Sequence, residues 1–234
     1  MSRGLKPTLS QLCYQLPPDL ARQWRSDAST ILLSHVWQGY DLLCTEVLSK
    51  IDTTEIGRAI ETGLTQYLAP RIQRTFEGFE PYCLIHEFNE YETQKTARGR
   101  PPQYDMAFVW NENERFAWPL EAKDLSSDND AQDIKEYAAE INENFVPCRY
   151  APFSSEAAMV GYLLTGEPAI ALTNISQAIP CAMTEHTDFL ARHHQTSDHP
   201  RSVPEGKSYP AEIRIHHLIM DIAISSTGIN TVDT

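Results

Sequence analysis

Residues 103–125 read QYDMAFVWNENERFAWPLEAKDL, and this stretch decides the fold. Two runs rich in aromatic and β-branched residues, QYDMAFVW and ERFAWPLEAK, flank the polar tripeptide NEN, the pattern of two strands joined by a tight turn. Side chains alternate faces along a strand. In the first run Tyr104, Met106, Phe108 and Trp110 share one face and Asp105 takes the other. In the second, Phe116, Trp118, Leu120 and Ala122 share a face, opposite Glu121 and Lys123. A turn centred on Glu112 sets Asp105 across from position 119, one diagonal step of about 7–8 Å from Glu121. Pro119 has no N–H for a ladder, so it predicts an edge strand or a bulge.

Working outward, residues 81–94 (PYCLIHEFNEYETQ) read as a preceding strand and 95–102 (KTARGRPP) as a polar connection. Upstream lies SDASTILLSHVWQGYDLLCTEVLSKID, where Leu33, Val36, Tyr40, Leu43 and Val47 recur at helical spacing and Ser26 and Ser29 are candidate caps. A second helix begins at residues 53–54 and ends at Pro70. Residues 1–28, with Pro7, Pro17 and Pro18, read as an irregular lead with one short helix. Downstream of the hairpin come a loop and helix over 126–145, a further helix over 154–166 closed by Gly166, a His- and Pro-rich loop over 181–210, and a last strand in AEIRIHHLIMDIAI. Helices, a strand meander, helices and a strand predict an α/β or α+β domain whose mixed central sheet is flanked by helices. An N-terminal helical segment over 1–50, packed on the core, precedes the main domain over 51–234.

The hairpin holds the residue types that bind a hard divalent cation. Magnesium is held by one or two carboxylates, with water and phosphate oxygens completing the shell, and Asp105 and Glu121 converge for that role. An ammonium beside the ion orients water and stabilises charge developing on phosphate; Lys123 shares the face of Glu121. Lys95, Arg98 and Arg100, just before the Asp105 strand, are candidate phosphate contacts, and Arg71 and Arg74 weaker ones. Glu87, Glu90 and Glu92 read as a row of exposed strand acids. His186, His193, His194, His199, His216 and His217 lack the short regular spacing of a structural zinc site and read as loop histidines.

The run over 103–125 resembles the signature of the PD-(D/E)xK superfamily of restriction-endonuclease-like nucleases, with Asp105, Glu121 and Lys123 on its three charged positions. Gln103-Tyr104 stand where the family often has Pro before the Asp. The resemblance implies a restriction-endonuclease-like core and Mg2+-dependent hydrolysis of DNA, with Mn2+ as a substitute, leaving 5′-phosphate and 3′-hydroxyl ends, often in restriction or antiviral defence. It also implies an acid from the helix before the hairpin. On that helix Ile56, Ile60, Leu64, Tyr67 and Leu68 form the apolar stripe; Glu61 lies about 90° from its centre and Glu55 about 150°. Glu61 is the better placed. The alternative is a nuclease-like module that binds nucleic acid or a protein without cutting.

Composition bounds these readings. The net charge is −13, from 19 basic and 32 acidic residues. Nonspecific affinity for nucleic acid comes from cations that displace counterions, so this chain calls for a homo-oligomer or protein partner to supply basic surface. The sequence does not distinguish DNA from RNA. Five cysteines without a CxxC predict free thiols in a reducing compartment. No apolar run reaches the ~20 residues of a membrane span and no secretory leader is evident, so a cytoplasmic location is the expectation.

Overall fold

The computed structural model describes residues 18–50, 60–94, 99–126 and 131–222. By its contacts the chain divides into two compact units, residues 1–34 and 35–234. The described part of the first unit is helical, the opening of α1 (Pro18–Glu46). Ser26 and Ser29 lie inside this helix, which begins well before them, so neither caps it. The expected irregular lead lies outside the described residues up to position 17, and from Pro18 the chain is helix.

The second unit is α+β, built on a seven-stranded mixed sheet. Its helices are the rest of α1, α2 (Ile60–Gln73), α3 (Ala131–Glu140) and α4 (Pro168–Ala178). The strands are β1 (Tyr82–Asn89), β2 (Gln103–Trp110), β3 (Ala117–Ser126), β4 (Glu156–Thr165), β5 (Met183–Glu185), β6 (His194–Pro200) and β7 (Glu212–Asp221). They lie in the order β1-β2-β3-β4-β7-β6-β5. The inner pairs β3–β4 and β4–β7 are parallel, and the remaining four are antiparallel. No helix among the described residues is long and apolar enough to cross a membrane. Cys44, Cys83, Cys148 and Cys181 are free thiols.

Two segments depart from the sequence reading. Residues 156–165 form strand β4 at the centre of the sheet, not a helix. Parallel strands covered on both faces read as near-continuous apolar runs without alternation, and Ala157 to Leu163 are all buried. Period alone does not separate such a run from a buried helix. Gly166, at φ 90°, does end the element. The supposed loop over 181–210 contains β5 and β6, whose polar side chains bond to one another within the sheet: Thr184 to Thr196 at 3.1 Å, and Ser197 to His199 and His217 at 2.8 and 2.7 Å.

Helix α2 lies against β1, β2 and β3, with Thr65 Oγ1 3.1 Å from Tyr162 Oη. It runs through Pro70 to Gln73 instead of stopping at the proline. The carbonyl deprived of its partner belongs to Gln66, which is exposed and can take water. Gly39 permits the close approach of α1 to α2: a Cβ there would lie 2.5 Å from Ile72 Cγ1 and 2.9 Å from Ile72 N. Val36, Tyr40, Leu43 and Val47 are buried as their spacing predicts. A separate apolar cluster joins Ile134, Tyr137 and Ile141, after the hairpin, to Leu172 and Ile175 of α4 and to Met159, Leu163, Ile215 and Ile219 of the sheet.

A buried arginine fixes the long connection between α3 and β4. Arg201 is 8% exposed and donates to the carbonyls of Phe145, Tyr150, Ala151 and Ser154. This connection holds two non-glycine residues at positive φ, Cys148 (60°) and Ala151 (51°). Such conformations persist where surroundings over-determine them, and the planar guanidinium meets four acceptors at once.

Candidate active site

The hairpin register is the first determinant of the site. Met106 faces Leu120, Ala107 faces Pro119 and Phe108 faces Trp118. The turn therefore centres on Asn113, one residue later than expected, and β3 starts at Ala117. Continued one step past its last pair, Met106–Leu120, that register sets Asp105 level with Glu121 instead of one diagonal away. Trp110 N–H bonds to the Phe116 carbonyl at 3.1 Å. In an antiparallel ladder bonded and non-bonded pairs alternate, so Ala107/Pro119 is a non-bonded pair. The Pro119 nitrogen thus faces the β4 side, where pairing begins only at Leu120. That position explains a proline in a central strand, where the sequence had suggested an edge or bulge.

Pairing of β2 with β3 ends at Met106–Leu120. Beyond it the Ala122 N–H has no strand carbonyl and donates to Asp105 Oδ2 at 2.7 Å. Tyr104 lies in the same apolar cluster as Ala107 and Val109, so the expected alternation is not kept across Asp105. Across β1, between the pairs His86–Met106 and Phe88–Tyr104, Glu87 has φ 57°, the left-handed region rare for a non-glycine. Irregular backbone on both sides of Asp105 is what aims its carboxylate between strands.

Glu121 is 6% exposed, and its Oε1 accepts from Lys123 Nζ at 3.2 Å. Its Oε2 is buried without a hydrogen-bond partner. Lys123 Nζ also lies 3.7 Å from Glu140 Oε2. Glu140 is a residue the sequence did not single out. It stands at the end of α3 and is bonded to Asn144, to which Arg149 donates at 2.7 Å.

Glu61 joins this group, in the first turn of α2. Its carboxylate accepts from the Asp124 backbone N–H, and the Asp124 carboxylate accepts from the Glu61 N–H, so the helix start is tied to β3 in both directions. Asp124 was also not foreseen; its Oδ1 is buried and unpartnered. Its only sequence signal is the adjacency to Lys123.

Charge dominates the chemistry of the group. Burial, reinforced by the Asp105 charge, raises Glu121 well above the carboxylate range. Burial raises Asp105 as well, against the opposing Ala122 N–H. Burial pushes Glu61 up to about 7, with Lys123 pulling down and Asp105 and Asp124 adding to the rise. For Lys123 burial acts downward, but the charges of Glu121, Glu61, Glu140 and Asp105 outweigh it and hold the ammonium above its ordinary value. Lys123 is therefore a fixed cation at neutral pH, suited to holding anionic oxygen and unsuited to acting as a base. Five carboxylates share this one lysine, and a buried charge without a partner is costly. The group is left with an excess of negative charge and an unpartnered Glu121 oxygen.

The remaining candidates are dispersed. Arg100 is exposed and donates to Gln103 Oε1 at 3.1 Å; Lys95 and Arg98, like Glu55, lie outside the described residues. Arg71 and Arg74 are paired to Glu46 at 3.3 and 2.7 Å. Glu90 and Glu92 are not exposed strand acids. Glu90 is buried, accepting from Tyr104 Oη at 2.8 Å, and Glu92 binds Arg115, Lys207 and Tyr209. Of the histidines, His194, His199, His216 and His217 are buried on strands β6 and β7, not in loops. Set against family models, curated proteins and solved structures, the chain matches none.

Proposed function

We propose that the chain is a divalent-metal-dependent nuclease acting on DNA, with its active centre at Asp105, Glu121, Lys123 and Glu61. The observation that supports this reading is the placement of two charge-stressed carboxylates, buried Glu121 and half-buried Asp105, on adjacent strands. One of them keeps an unpartnered oxygen, and a lysine lies beside it. Asp105 and Glu121 would hold Mg2+, with Mn2+ as a substitute, and Glu61 would complete the shell from α2. The ion supplies Lewis acidity toward the phosphodiester and a lowered pKa for the attacking water. Lys123, held charged, orients that water and stabilises the negative charge that builds on the phosphoryl oxygens. Glu140 fixes the lysine from its other side. Water attacks phosphorus and the bond to O3′ breaks, leaving a 5′-phosphate and a 3′-hydroxyl.

The test is cleavage of plasmid, linear DNA and RNA by the purified chain in Mg2+, Mn2+ or chelator. Cutting of DNA is expected only with metal. Asp105→Ala and Lys123→Ala, checked for folding by circular dichroism, should each lower the rate by at least about 100-fold. Metal-dependent cutting that survives both substitutions rejects the site, and binding of DNA without cutting in any metal favours the non-catalytic module.

A further inference from the structure

The half of the sheet formed by β5, β6 and β7 carries a second cluster of ligating groups. His186 follows β5, His194 opens β6 and His216 lies within β7. One ligating atom from each falls within 4.8 Å of the other two, and no other trio of His, Cys, Asp or Glu among the described residues does so. His194 Nε2 and His216 Nδ1 are 3.2 Å apart. The ring centroids are separated by 4.7 Å (His186–His194), 5.4 Å (His186–His216) and 5.4 Å (His194–His216). A tetrahedral zinc with Zn–N near 2.0–2.1 Å holds its nitrogens roughly 3.3 Å apart, so the three rings already stand close to the spacing of one coordination sphere.

The surroundings suit a metal as well. His216 Nε2 lies 3.4 Å from Glu156 Oε2, the carboxylate–imidazole pairing that turns the other ring nitrogen toward an ion and raises its basicity. Phe189 stacks on His194 at 5.2 Å and lies 5.0 Å from His186, and Trp118 lies 5.9 Å from His216.

Without metal, Trp37 Nε1–H donates to His194 Nδ1 at 3.3 Å, which places the His194 proton on Nε2, toward His216. His186 joins that chain by stacking alone; its own Nδ1 accepts from the Asp188 backbone N–H at 3.3 Å, which leaves Nε2 as the ring atom open to an ion. We propose that His186, His194 and His216 bind a single first-row transition ion, zinc by preference, which clamps the β5–β6 edge to β7. On binding, the His194 proton moves from Nε2 to Nδ1, with no net proton released, and the long Trp37 hydrogen bond is lost.

The full chain, stripped with chelator, is titrated with Zn2+ by calorimetry and with Co2+ by absorption. Expected, with Mg2+ in excess to occupy the hairpin carboxylates, are one ion per chain, the visible bands of tetrahedral nitrogen-ligated cobalt, and a melting temperature raised by Zn2+. His216→Ala should weaken binding by at least about 100-fold, and Glu156→Gln by about 10–100-fold. His186→Ala, at a half-buried position, keeps the test decisive if the buried variant does not fold, and should also lose about 100-fold. Asp105→Asn should leave the cobalt spectrum unchanged, which separates this site from the hairpin carboxylates. Absence of binding, equal affinity in His186→Ala and Glu156→Gln, or a cobalt spectrum abolished by Asp105→Asn would each overturn the proposal.

Discussion

Glu61 shows how one side chain links fold and chemistry in this protein. Burial and nearby carboxylates raise it to about 7, against about 4.3 for an unperturbed glutamate. A carboxyl whose folded value is raised binds its proton more tightly in the native state than in the unfolded one. Its contribution to stability is therefore present at low pH and is lost as pH climbs from roughly 4.5 to 7. Asp105 and Glu121, also raised, act in the same direction. The metal-free protein should thus melt at lower temperature at pH 8 than at pH 5.5. Glu61→Gln, which removes the charge and keeps the shape, should recover about 1–2 kcal/mol at pH 8, once discounted for a side chain partly open to water. Mg2+ should narrow the same gap in the parent chain. Thermal denaturation at the two pH values checks this; a parent melting curve insensitive to pH in chelator would mean that the carboxylates are not under charge stress.

At the scale of the element, the connection between α3 and β4 rests on Arg201. Its guanidinium is buried and bonds to four backbone carbonyls and the Cys148 thiol, with no carboxylate among these partners. Arg201→Ala leaves those carbonyls unpaired at about 1–3 kcal/mol for each that water cannot reach. A loss of about 3 kcal/mol in urea denaturation is the expected outcome. Arg201→Lys should recover less than half of it, since an ammonium has three donors and no fork; full recovery by lysine would show that charge alone matters.

None of this was legible in the sequence, because Arg201 sits in a polar, His-rich stretch whose strands carry polar side chains that read as loop. The hairpin was legible for the opposite reason. Its alternation and turn residues are local, and Asp105, Glu121 and Lys123 follow from two strands and a turn. The register was off by one turn position, because three polar residues in NEN do not say which of them is central. The centre of the sheet was misread for a physical cause: Ala157 to Leu163 is apolar on both faces, so the period that separates strand from helix is absent. Glu140 and Asp124 could not be found from pattern, since they reach the site only through the packing of α3 and α2.

For the whole molecule, the charge of −13 governs how a polyanion is met. The candidate site adds to the difficulty, with Asp105, Glu121, Glu61, Asp124 and Glu140 around one lysine. Each phosphate neutralised by a protein cation contributes about −0.9 to the slope of log K against log salt. With Arg71 and Arg74 already paired to Glu46 and Arg214 paired to Asp198, few described cations are left for phosphate. A slope of only about −2 to −3 is expected for a short duplex. Divalent cation should then be needed for binding as well as for cutting, because it converts a repulsive carboxylate cluster into a phosphate ligand. Fluorescence anisotropy with a labelled duplex tests this in chelator and in Ca2+, a hard ion of oxygen sites that binds without the tight octahedral geometry of Mg2+. Affinity should rise at least about 10-fold with Ca2+, and Glu121→Gln should remove most of the gain. Tight binding in chelator with a slope steeper than about −6 would instead reveal a basic surface on the chain or its oligomer, and would take substrate capture away from the hairpin.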